Sequence, residues 1–158
     1  MIRVQIVGAE AVIKHLGEVP PRVLGLVRQA VMAETHNVER TAKQKVSGPV
    51  LKNKTGTLRR KINSQFQDSG DSSIGSVGLS LVYGAIHEYG GVTRAHVIQA
   101  RNKKALAFQM GGVGLVRKSV QHPGSKMPER SFLRSSLREN EARIKGAIAA
   151  AVAQGVKG

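Results

Sequence analysis

The first residues alternate: Ile2, Val4 and Ile6 are apolar while Arg3 and Gln5 are polar, which predicts a short half-buried strand ending before Gly8. A short helix is expected from Ala9 to about Leu16. Pro20-Pro21 then opens a long helix to about Val46, because proline is tolerated in a first turn and not in a helix interior. Val23, Leu24, Val27, Ala30, Val31, Val38 and Ala42 recur mostly three or four apart and predict one apolar stripe along it. Ser47-Gly48-Pro49 stops this helix, and the polar, lysine-rich stretch to Thr57 reads as a mobile loop.

Ile62, Ser64 and Phe66 share one side of a second strand, and the run from Asp68 to Ser73 supplies a turn. Ile74 to Leu81, containing Gly75 and Gly78, returns as an antiparallel partner. Tyr83 to Tyr89 suits a short helix closed by Gly90-Gly91. Residues 91–104 read as a second flexible loop, followed by strands at 105–108 and 115–120 around the glycine-rich turn 111–114. After a proline-containing loop at 122–128 comes a last helix from about Arg130 to Ala153. Its Leu133, Leu137, Ile144, Ile148 and Val152 recur at about multiples of four. The fold class is α+β: one domain over residues 1–158, with a small, mainly antiparallel sheet packed against two long helices.

Composition narrows the chemistry. The chain has 158 residues, three Phe, two Tyr and no Trp, so its core must be built from Val, Leu, Ile and Ala. The absence of cysteine removes disulfides, thiolate metal sites and a Cys nucleophile. The run Ala147 to Ala153 is too short to span a membrane, and the start of the chain has no signal-peptide apolar region, so a soluble protein with no membrane partner is expected.

His87-Glu88 lacks the second histidine one helical turn later that a zinc-protease helix needs, since position 91 is Gly. His15, His36, His96 and His122 have no ligand-like spacing. There is no Gly-x-Ser-x-Gly elbow, and the glycine-rich pieces match no phosphate loop. No metal, no cofactor and no catalytic residue is expected. Tyr83 and Tyr89 read as residues that anchor a short helix on the sheet, and His87 as one that only hydrogen-bonds locally.

Charge is the stronger signal. Against 25 Lys+Arg stand only 10 Asp+Glu, a formal net charge of +15. Between Arg40 and Gln67 there is no carboxylate, while Arg40, Lys43, Lys45, Lys52, Lys54, Arg59, Arg60 and Lys61 are basic. A second acid-free run, Tyr89 to Pro128, carries Arg94, Arg101, Lys103, Lys104, Arg117, Lys118 and Lys126. Together the two runs could form one positive face meeting phosphates or an acidic protein surface. Lys52, Lys54, Arg59, Arg60, Lys61, Arg101, Lys103 and Lys104 are the candidate partner or DNA contacts. A basic nucleic-acid-binding module is the alternative function, although too few aromatics are present for base stacking.

Four elements then occur in a telling order: Lys54-Thr-Gly-Thr-Leu-Arg59, Tyr83-Gly-Ala-Ile-His-Glu-Tyr-Gly90, Ala105-Leu-Ala-Phe108, and His122-Pro-Gly-Ser-Lys126 followed by Ser131-Phe-Leu-Arg134. In this order and spacing the chain resembles the gene-ten-type tail-component family of lambdoid long-tailed phages and, more distantly, the virion morphogenesis proteins of Mu-like phages. One departure is local: the family's Arg-Pro-Phe-Leu element is interrupted, Pro128 being separated from Phe132 by Glu-Arg-Ser. Tyr83, His87, Glu88, Tyr89, Gly90, Pro123, Gly124, Phe132 and Leu133 are the candidate structural motif.

The resemblance implies a non-enzymatic virion protein of the tail or neck, assembled in the host cytoplasm and acting in tail completion or termination. Implied partners are copies of itself in a ring of six, or of twelve nearer the portal, head-tail connector or adaptor proteins, the tail tube protein, and DNA in the channel. Loops 47–57 and 91–104 would be the arms that reach a neighbour.

Overall fold

The computed structural model describes residues 2–7, 21–48, 50–51, 55–70, 72–101 and 104–157. Its elements in chain order are β1 (Ile2–Val7), α1 (Pro21–Lys45), α2 (Thr57–Arg60), β2 (Ile62–Asp68), β3 (Ser73–Leu79), α3 (Gly84–Tyr89), β4 (Gly91–Thr93), β5 (His96–Gln99), β6 (Leu106–Met110), β7 (Val113–Arg117), β8 (Ser119–His122), β9 (Ser125–Met127) and α4 (Leu133–Lys157). The α+β architecture expected from the sequence is the one observed. The short helix expected at 9–16 lies outside the described residues.

The core sheet has the order β1-β3-β2 and is antiparallel throughout. Ile2 pairs with Leu79 and Ile62 also pairs with Leu79, so β3 is the central strand. On the helix-facing side of β3, Gly75 is where α1 comes closest: a Cβ there would lie 1.7 Å from Thr35 Oγ1. No residue larger than glycine fits without moving the helix.

The two long helices run antiparallel. Lys45 reaches Ser135 and Glu139, Thr41 accepts from Asn140, and Glu34 takes Arg143 at 2.8 Å. Near the far end, a Cβ on Gly155 would sit 2.6 Å from Val23 Cγ2, so the alanine- and glycine-rich end of α4 allows close helix packing. The main core contains Val38, Ala42, Val46, Ile62, Val77, Leu79, Phe132, Leu133 and Ile144. A second cluster joins Val23, Val27 and Val31 to Ala151. Burying each such side chain contributes roughly 1.5–3 kcal/mol.

The predicted α1 stripe omitted two polar residues that the fold buries, Glu34 and Thr35. Thr35 is satisfied by donating to the Val31 carbonyl at 2.6 Å, and Glu34 by its ion pair with Arg143. Glu39, further along, ties α1 to β2 by accepting from the Ser64 N–H at 3.2 Å and from its hydroxyl. Burial works against its ionisation, but the hydrogen bonds from Lys43 and Ser64 outweigh it and hold its carboxyl below the ordinary value.

Two loop expectations need correction. Val50 and Leu51 turn back onto the core, both donating to the Lys45 carbonyl, and Leu51 is buried, so 47–57 is pinned at this point by an apolar side chain. Residues 91–104 do not form a plain loop. They contain β4 and β5, and the proline-containing stretch at 122–128 contributes to β8 and β9. β4 pairs with β9, β5 with β8 and β6 with β7, so 91–127 is one long antiparallel hairpin arm. The strands expected at 105–108 and 115–120 are found as the pair β6 and β7, while local pattern missed β4, β5 and β9 because they are three or four residues long and their partners lie across the hairpin.

A candidate assembly arm and its buried anchor

The arm leaves the core from the end of α3 and returns to it at the start of α4, so whatever joins these two helices fixes the arm. That junction is a single carboxylate. Glu88 is fully buried, and its Oε2 accepts from the N–H groups of Phe132 and Leu133 at 2.8 and 2.9 Å. Its Oε1 accepts from the Arg134 N–H at 2.9 Å, the Ser131 hydroxyl at 2.7 Å and Arg134 Nε at 3.2 Å.

The first N–H groups of a helix have no partner within it, and the helix dipole places partial positive charge there. A cap normally comes from a neighbouring Ser, Thr, Asp or Asn. Here Phe132 occupies the position before Leu133 and the first turn of α4 holds no acidic residue. The cap therefore comes from Glu88, on α3. Burial alone would raise the Glu88 pKa, but the hydrogen bonds from Leu133, Arg134, Phe132 and Ser131 together outweigh it and hold the carboxyl below its ordinary value.

Arg134 closes the junction from outside. Its Nη2 donates to the Glu88 carbonyl at 3.0 Å and to Glu129 at 2.7 Å, and its guanidinium lies 4.5 Å from the centre of the Tyr89 ring. The Arg130 N–H also donates to the His87 carbonyl at 2.8 Å. Gly90, at φ 71°, turns the chain from α3 into the arm; a Cβ there would lie 2.9 Å from the Glu129 nitrogen.

Tyr83 and Tyr89 do not anchor α3 on the sheet as expected. Both are about half exposed, at 45% and 53%, and the buried residues of α3 are Gly84 and Glu88. His87 stacks edge-on against Tyr83, with its ring centre 6.2 Å away. Burial first, and then the charge of Arg130, push its pKa down.

Along the arm, Pro123 is exposed and Gly124 has φ 90°. A Cβ on Gly124 would lie 2.2 Å from the Thr93 carbonyl oxygen, so only glycine fits where the two strands cross. His96 and His122, unrelated in sequence spacing, pair across the strands with ring centres 5.1 Å apart. At the tip Gly111 and Gly112 have φ 59° and 83°, the mirror-image turn that matches strand twist. Ala100 donates to the Lys118 carbonyl at 3.3 Å and Leu106 pairs with Arg117, so the two ends of the segment between β5 and β6 lie opposite adjacent residues.

The candidate contact residues fall into separate places. Lys52, Lys54 and Lys103 lie outside the described residues. Arg59, Arg60 and Lys61 are exposed at the junction of α2 and β2, where Arg59 and Arg60 border a shallow depression with Lys43 and Gly56. Arg101 and Lys104 are exposed on the arm, between β5 and β6, on a different structural unit. Among the described residues, no three His, Cys, Asp or Glu side chains converge as metal ligands, and no helix is long and apolar enough to cross a membrane.

The Glu88 anchor explains why the two elements singled out in the sequence, around His87-Glu88-Tyr89-Gly90 and Ser131-Phe-Leu-Arg134, go together: one caps the other. Ser131, just before the helix, caps only the Ser135 N–H, at 3.2 Å, and leaves the earlier N–H groups to Glu88. No curated protein and no solved structure matches the chain. A family profile described as the phage virion morphogenesis family matches residues 29–153, which takes in most of both long helices, the sheet strands β2 and β3, the arm and its anchor. That match carries the more distant of the two likenesses drawn from the sequence and does not extend to the gene-ten-type or lambdoid assignment. The chain belongs to the phage virion morphogenesis family, whose members serve in building the phage particle.

Proposed function

We propose that this protein is a structural component of the head-tail junction of a tailed phage, completing or terminating the tail and forming a ring there. The observation that carries this reading is the arm at 91–127, held on a compact core by a buried carboxylate. Its tip, Ala105 to Val116, has no charged residue, and Met110, Val113 and Val116 are exposed there. β-Strand alternation puts Leu106, Phe108 and Met110 on one face with their partners Arg117, Leu115 and Val113. An apolar face projected away from the core suits a neighbouring subunit, and a contact between different surfaces of successive copies generates rings.

Native mass spectrometry tests this, on the protein alone and mixed with tail tube and head-connector proteins of the same phage. A discrete ring, free or formed with a neighbour, supports the reading and gives its symmetry. A monomer under every condition, together with normal virion yield when the gene is removed, refutes it.

A further inference from the structure

The charge on the arm has no counterpart among the described residues. Arg94, Arg101, Lys104, Arg117, Lys118 and Lys126 are all exposed, and none forms an ion pair among the described residues. No carboxylate occurs between Glu88 and Glu129. Every described carboxylate of the core is already engaged by a cation of its own chain: Arg28, Lys43, Lys45, Arg134, Arg143 or Lys145. A second copy of the protein therefore offers, among the described residues, no free carboxylate to the arm.

We infer that the shaft of the arm binds duplex DNA, through a lower basic site at Arg94 and Lys126 and an upper one at Arg101, Lys104, Arg117 and Lys118. The register places Lys126 opposite Val92, beside Arg94. Higher up, Ala100 donates to the Lys118 carbonyl at 3.3 Å and Arg117 pairs with Leu106, so Arg101, next to Ala100, and Lys104, two residues before Leu106, flank the ribbon near Lys118 and Arg117. Arg94 and Arg101 are seven positions apart, on either side of β5, roughly 23 Å of extended chain, about seven base-pair rises at ~3.4 Å each.

A two-stranded ribbon is narrow enough for the roughly 12 Å major groove. Cations on both of its strands reach phosphates on either side of it. An acidic protein surface is the competing partner. It would be expected to meet some carboxylates interspersed with the cations, whereas an arm free of carboxylates suits a uniform row of phosphates. The inference goes beyond the head-tail reading and does not depend on it, since a single subunit has the whole binding surface.

The test compares two variants of equal charge change in the full chain: Arg94→Ala/Arg117→Ala/Lys118→Ala on the arm, and Arg59→Ala/Arg60→Ala/Lys61→Ala on the core. Binding to a labelled duplex of about 30 base pairs is followed by anisotropy from about 50 to 300 mM salt, with the same-length single strand and polyglutamate as competitors. The arm variant should bind at least about tenfold more weakly, with the log-log salt slope reduced by about 2–3, while the core variant loses less than one in slope.

If circular dichroism shows the arm variant misfolded, Arg101→Gln/Lys104→Gln/Lys118→Gln takes its place with the same expectation. Equal losses in both variants, absence of duplex binding at the lowest salt, preference for the single strand, or displacement by polyglutamate as readily as by unlabelled duplex would each overturn the inference. Ring formation, read separately by native mass, distinguishes failure here from failure of the head-tail reading.

Discussion

Replacing Glu88 by glutamine changes one oxygen to an NH2 and leaves size and burial the same. The best-placed amide keeps its oxygen on the N–H groups of Phe132 and Leu133 and turns its NH2 toward the partners of Oε1. The Ser131 hydroxyl can rotate to accept, but the Arg134 N–H and Nε–H cannot. Two donors are left facing a donor, at about 1–3 kcal/mol each, with the lower half of that range applying to the partly exposed Arg134 Nε. Losing the negative charge at a buried helix N-terminus adds roughly 0.3–2 kcal/mol.

The expected destabilisation is thus about 2–7 kcal/mol, or a fall in Tm of roughly 5–25 °C for a chain of this size. Urea unfolding at fixed protein concentration measures the first quantity. Hydrogen exchange locates it: the amides of Phe132, Leu133 and Arg134 should lose protection in Glu88→Gln while those in the middle of α1 exchange through the same global opening. A destabilisation below about 1 kcal/mol, or unchanged protection at these three amides, would refute the reasoning.

Three further outcomes follow from the same geometry. Because the Glu88 and Glu39 pKa values are lowered by folding, each contributes stability above its unfolded value, near pH 4.3, and loses it as pH falls through the lower folded value. Unfolding midpoints of wild type and Glu88→Gln should therefore converge on acidification and differ most above about pH 5; a constant difference down to about pH 2 would count against the charged state of Glu88. Gly75→Ala should destabilise by about 1–3 kcal/mol through overpacking against Thr35, and Thr35→Ala in the same chain should recover part of that loss, giving a measurable coupling in a double-mutant cycle. Gly90→Ala, forced into a positive φ against the Glu129 backbone, should lower stability by roughly 1–3 kcal/mol in thermal unfolding.

The local pattern along the chain was enough to determine α1, β2, β3, α3 and α4 to within a few residues, because hydrophobic period, proline and glycine act over one or two turns of chain. It also determined the net charge and the acid-free run that became the arm. Four things were decided only by tertiary structure. Glu34 and Thr35 are buried because α1 faces α4 and Gly75, which no local pattern states. Leu51 ends in the core because the chain folds back after α1. The tip strands near 105–108 and 115–120 were legible, but the lower strands of the arm exist only as cross-strand pairs, so no single short segment, such as Gly91-Val-Thr93 or Ser125-Lys-Met127, shows them.

Glu88 is the clearest case. In sequence it stands beside a histidine in a short polar helix and suggests metal chemistry that the spacing then denies. In three dimensions it lies against a helix start more than forty residues away. A carboxylate's role depends on the donors around it, and those donors come from a part of the chain that only folding brings near.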